Sequence, residues 1–81
     1  MATELAPEKA GQEILAIFRE RSIRPSEMLV YANLYLAFIH KGFRDDDWRP
    51  GLTWLLEQGF IENPKTQPLS YFLTEKGFAQ I

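Results

Sequence analysis

The sequence predicts a single α+β domain, with a three-helix core, a C-terminal β-hairpin and a short final helix. Three observations carry this reading. Apolar residues recur at helical spacing in three segments before residue 59. Two runs of strand formers then flank a loop containing Asn63, Pro64 and Pro68. The chain has 81 residues, which is one small domain and not two.

Each element has a local reason. Residues 1–6 are expected to be a frayed start to the single domain 1–81. Pro7 suits the first helical position, because its missing N–H is one that the helix would leave unpaired anyway, and Glu8 favours the first turn. Ile14, Leu15 and Phe18 then share a face, giving a first helix from about Pro7 to Arg21. Ser22-Ile23-Arg24, stopped by Pro25, reads as an extended connector or a one-bridge strand. Ser26 is the expected N-cap of a second helix over about Glu27 to Lys41, with Gly42 just past its end. Eleven of the twelve residues from Met28 to Ile39 are apolar. Leu29, Ala32, Leu36 and Ile39 form one stripe, and Tyr31, Tyr35 and Phe38 form another roughly opposite. A helix that is apolar all round must be covered all round. A third helix begins near Asp46 or Asp47, with Pro50 acceptable only in its first turn. Leu52, Leu55 and Leu56 give its core face, and Gly59 ends it. Phe60-Ile61-Glu62 reads as a strand, residues 63–68 as a loop and Leu69 to Leu73 as the returning strand. Thr74 caps a last short helix from Glu75 to Gln80.

Composition narrows the function. Lys and Arg number 9 against 11 Asp and Glu, for a net charge of −2 and a pI near 5.3. Bulk charge therefore does not drive nucleic-acid binding. There is no cysteine, which removes disulfides, thiolate nucleophiles and Cys-based zinc sites and fits a cytoplasmic setting. Met1 to Leu5 lack the basic and apolar regions of a signal peptide. The longest apolar stretch is far short of the roughly 20 residues that span a bilayer, so no membrane role is expected. No Gly-rich phosphate loop, nucleophile elbow or His-x-x-x-His pair is present, so neither enzymatic activity nor a cofactor is expected. His40 lies near Asp45, Asp46 and Asp47, but a single His with adjacent aspartates lacks a spaced ligand set.

The order helix, possible strand, helix, helix, hairpin, short helix is that of a winged helix with an abbreviated wing. Leu52-x-x-Leu55-Leu56-x-x-Gly59-Phe60-Ile61, followed by Tyr71-Phe72-Leu73-Thr74-Glu75-Lys76-Gly77, resembles the MarR- and PadR-type winged-helix regulators over residues 44 to 81. Three departures stand out. The second helix is longer and more apolar than is typical of the family. The wing tip carries only Lys65, and the sequence stops at Ile81 without the long helices that dimerise many such regulators.

The resemblance implies a small DNA-binding regulator whose third helix enters the major groove. Arg49 would then pair with guanine and Thr53 would meet a thymine methyl. Arg24, Ser26, Lys41, Arg44 and Lys65 would touch phosphates. The charge pattern opposes this. Between Lys41 and Pro68 the bases are Lys41, Arg44, Arg49 and Lys65, against Asp45, Asp46, Asp47, Glu57 and Glu62. The three aspartates read as capping and favourable dipole residues. The stripe Tyr31, Tyr35 and Phe38 is either core or a self-association surface on the second helix. Trp54, read as outward on the third helix, suggests contact with a protein partner. The two functional expectations are thus a homodimeric regulator of double-stranded DNA and a winged helix that binds another protein.

Overall fold

Helix α1 (Pro7–Glu20) starts where Pro7 permits and packs Ala10, Gly11, Ile14, Leu15, Ile17 and Phe18 inward in the computed structural model, which describes residues 5–81. Of the expected frayed start, residues 1–4 lie outside the described residues. Leu5 is tethered, its N–H donating to Asp47 Oδ2 at 3.2 Å. The helix closes at Ser22, which takes the left-handed conformation (φ +56°). There the Ser22 N–H bonds to the Arg19 carbonyl and the Ile23 N–H to that of Phe18, the paired bonds of a Schellman ending. Ser22 therefore belongs to the closing turn and Ile23-Arg24 form a connector, with no strand in residues 22–24.

The strand between the first two helices lies further on. Strand β1 (Met28–Val30) runs straight into α2 (Tyr31–His40). This corrects the expected helix from Glu27 and the N-cap role of Ser26. Ser26 is left-handed (φ +73°), and Val30 is the N-cap residue. The cause is non-local. Met28, Leu29 and Val30 pair antiparallel with Phe72, Tyr71 and Ser70 of β3 (Ser70–Leu73). The bonds Ser26 N–H to Leu73 O, Leu73 N–H to Glu27 O and Tyr31 N–H to Leu69 O extend that ladder at both ends. A three-residue strand with helical hydrophobic spacing carries too little local signal to announce this.

Helix α3 (Asp45–Gln58) starts earlier than expected. Arg44 is its N-cap residue and no aspartate caps it, so Pro50 falls in the second turn, where it withholds a bond from the Asp46 carbonyl. Gly59 (φ +75°) turns the chain, with Gly59 N–H and Phe60 N–H bonding to the Leu56 and Leu55 carbonyls. Strand β2 (Ile61–Glu62) then pairs antiparallel with β3, giving a sheet of order β1-β3-β2. Leu69 lies outside the returning strand and is exposed. The Thr74 side chain accepts from the Gly77 N–H at 3.0 Å and caps α4 (Glu75–Phe78), which is shorter than expected. Its hydroxyl proton serves the Gly59 and Phe60 carbonyls at 2.7 and 3.0 Å, tying α4 to the end of α3.

The core lies between α1, the inner sides of α2 and α3, and the inner sheet face. Ile14, Ile17, Phe18, Leu34, Phe38, Leu55, Ile61 and Leu73 are fully enclosed. Helices α1 and α3 make the main crossing, through glycine. A Cβ on Gly51 would lie 2.8 Å from Ala10 Cβ and 2.9 Å from Gly11 N, so any side chain there would force the helices apart. No described helix is long and apolar enough to cross a membrane.

Candidate nucleic-acid interface

Helices α2 and α3 are joined by the turn Lys41–Arg44 and share an aromatic hinge. Gly42 is left-handed (φ +92°) and reverses the chain. Phe43 then packs on Phe38, ring centres 5.0 Å apart. Trp48, buried in the first turns of α3, fills the space between the helices. Its ring meets Tyr31 and Tyr35 edge-on at 5.6 and 5.4 Å and leans on Phe38 at 5.5 Å. Its Nε1–H donates to Tyr31 Oη at 2.9 Å, so this buried donor is satisfied.

This settles where the tyrosine stripe goes. Phe38 is fully buried, and Tyr31 and Tyr35 are half-buried against Trp48, so α3 of the same chain covers them. The opposite stripe is the uncovered one, with Leu36 51% exposed beside exposed Ala32 and half-buried Ile39. Tyr35 Oη donates to Asp45 Oδ1. That bond to a carboxylate, with lesser contributions from burial and the charges nearby, raises the phenol above its ordinary value. Tyr71 is raised as well, first by burial and then by Tyr31, with Arg49 opposing.

The outward face of α3 consists of Asp46, Arg49, Pro50, Thr53, Leu56 and Glu57, all exposed. Leu56, expected in the core, is 38% exposed and belongs to this face. Trp54, expected outward, is half-buried on the flank that meets α1. Its ring lies across Gly11, and it meets Phe60 edge-on at 5.6 Å.

Of the candidate phosphate ligands, two are already engaged. Lys41 bonds to Glu20 at 2.7 Å, and Arg44 Nε reaches Asp47 Oδ2 at 3.4 Å. Asp47 is buried and accepts from both Arg44 and Leu5, so it organises the turn instead of facing a ligand. Ser26 lies in a depression with Glu62 and Glu75, a negative setting for a phosphate. Arg24 is exposed, and its N–H is held by Glu27 Oε1 at 2.7 Å. Lys65 is exposed on the loop between β2 and β3. The fold thus brings Arg49 and Thr53 together one turn apart, and leaves Ser26 in its own acidic depression. Among the described residues no three His, Asp or Glu side chains are placed to hold a metal ion. Comparison with protein-family models, with curated proteins and with solved structures finds no match to this chain.

Proposed function

We propose that the chain is a winged-helix domain acting as a DNA-binding regulator, with α3 as the reading helix and the β2–β3 ribbon as a short wing. The sheet order β1-β3-β2, with the strand after α1 pairing to the returning ribbon arm, supports the architecture. The observation that carries the binding role is the free outer face of α3, where Arg49 and Thr53 stand on a helix-turn-helix unit locked by Trp48. Such a helix presents its first turns to base edges, and Arg is the side chain that pairs with both guanine acceptors.

Few cations are available, so the affinity is modest and its salt dependence shallow. Arg24, Arg49 and Lys65 have no carboxylate partner among the described residues. With Arg49 on a base edge, the two phosphate contacts of Arg24 and Lys65 give a slope of log K against log salt of about −2. Fluorescence anisotropy with mixed-sequence duplexes at low salt tests this. Folded protein that stays unbound at hundreds of micromolar, beyond the ~10⁻⁴ M typical of non-specific contact, overturns it. Arg49→Glu abolishes the binding. A homodimer belongs to this reading, since paired half-sites need paired reading helices. It would use Leu36, because the tyrosine stripe is occupied by Trp48. Leu36→Asp then gives a monomer in sedimentation, while a wild-type monomer removes the dimer.

A second reading is a winged helix that binds a protein through the same face. It is favoured by the exposed Asp45 and Asp46 at the head of α3 and by Leu56, exposed two turns from Arg49 on the same face. A cationic partner whose binding is lost on Leu56→Gln and weakened by Asp46→Lys identifies it.

A further inference from the structure

A groove of about 450 Å³ runs between α1 and α3 and is unused by the reading above. Its α1 wall is the stripe Glu8, Gln12, Ala16 and Arg19, and its α3 wall includes Trp54 and Gln58. On the α3 helix, Trp54 and Gln58 are one turn apart on the flank toward α1, away from Arg49 and Thr53. The geometry points to a docking site for a short extended peptide segment that carries a cationic side chain at one end, an apolar one in the middle and an anionic one at the other end.

Length, charge and polarity each support that occupant. Glu8 and Arg19 are eleven residues apart on one helix, about 16 Å at 1.5 Å per residue. That distance matches about five residues of extended chain at 3.3 Å each. Neither side chain has a salt-bridge partner among the described residues, so the two ends of the groove offer opposite, unsatisfied charges. The floor is aromatic. Trp54 is held flat by Gly11, where a Cβ would lie 2.5 Å from the ring, and Phe60 stands edge-on to it. Together they make a seat for one apolar side chain. Gln12, Gln58 and Gln80 line the rim, and each amide both donates and accepts, as a peptide group requires. A helical ligand fits less well, because its width of about 10 Å demands a broad apolar trough and these walls are largely polar.

The test uses two N-acetylated, C-amidated pentapeptides, Lys-Ala-Phe-Ala-Glu and Glu-Ala-Phe-Ala-Lys, titrated into the full chain while following the indole N–H resonance of Trp54. One order binds about fivefold tighter than the other, the scale of exposed ion pairs at the two ends. Replacing the peptide's Phe with Ala removes most of the binding. The double variant Glu8→Lys with Arg19→Glu inverts the preferred order, whereas Arg49→Glu, on the other face, changes neither affinity. Glu8 and Arg19 are exposed, so the double variant keeps its fold, and an unchanged circular dichroism spectrum verifies that. Absence of any Trp54 shift with both peptides overturns the site, as does equal affinity for both orders or a preference that survives the charge swap.

Discussion

The two sides of α3 are built by opposite rules. The inner side has no spare room. Gly51 lets the helix sit directly on α1, Leu55 is sealed, and Trp48 is bonded through its only polar atom. Among the described residues nothing covers the outer side, and its residues are a mixture of charge, hydroxyl and one exposed leucine. Side chains within a close-packed interior can change only at a cost in stability, whereas exposed ones can change with little. Packed and exposed positions are therefore separated by half a turn of one helix, and substitutions along α3 should divide sharply by azimuth.

The largest effect is expected from Leu55→Ala, which empties a fully enclosed site and costs about 2–5 kcal/mol in urea unfolding. Gly51→Ala comes next. The added methyl meets Ala10 and the Gly11 backbone, so a net loss of about 1–3 kcal/mol is expected despite the better helix propensity of alanine. A stabilised variant would show that the crossing has slack and would dissolve the contrast. Trp48→Phe removes the bond to Tyr31 and costs about 1–3 kcal/mol, through the hydroxyl left without its donor and the lost ring volume. Thr53→Ala, on the outer side, should change stability by no more than about 0.5 kcal/mol while still altering binding.

The smallest effect concerns pH. The folded chain holds the Tyr35 phenol neutral above its ordinary value, chiefly through Asp45. The contribution of that bond is thus complete below pH 10 and is lost as pH rises through the raised value. Absorbance titration at 295 nm should show Asp45→Asn returning Tyr35 toward ordinary phenol behaviour. An unchanged titration removes the Asp45 assignment.

Local chemistry made much of the frame legible. Pro7 placed the start of α1, Gly59 the end of α3, and Thr74 the cap of α4, because each acts within a few residues. Strand β1 was not legible, because Met28-Leu29-Val30 becomes a strand only when Ser70–Leu73 returns beside it. The azimuth of α3 was also hidden. Leucine spacing puts Leu52, Leu55 and Leu56 on one arc, but contact at Gly51 rotates the helix so that Trp54 turns toward α1 and Leu56 turns out. At the candidate interface, the residue types of Arg49 and Thr53 could be read from their positions on α3. The neutralisation of Lys41 by Glu20 could not, since those two are 21 residues apart and meet only through the fold.

Val30 has two duties. It closes the ladder opposite Ser70 and it is also the N-cap residue of α2, with no residue between strand and helix. The sheet and helix α2 are consequently joined directly, with no loop between them. A displacement of the β2–β3 ribbon passes through β3 and β1 to the start of α2, and through Trp48 to α3. Strand β1 and helix α2 thus share one junction residue, so a change in the direction of the ladder is also a change in the axis of the helix.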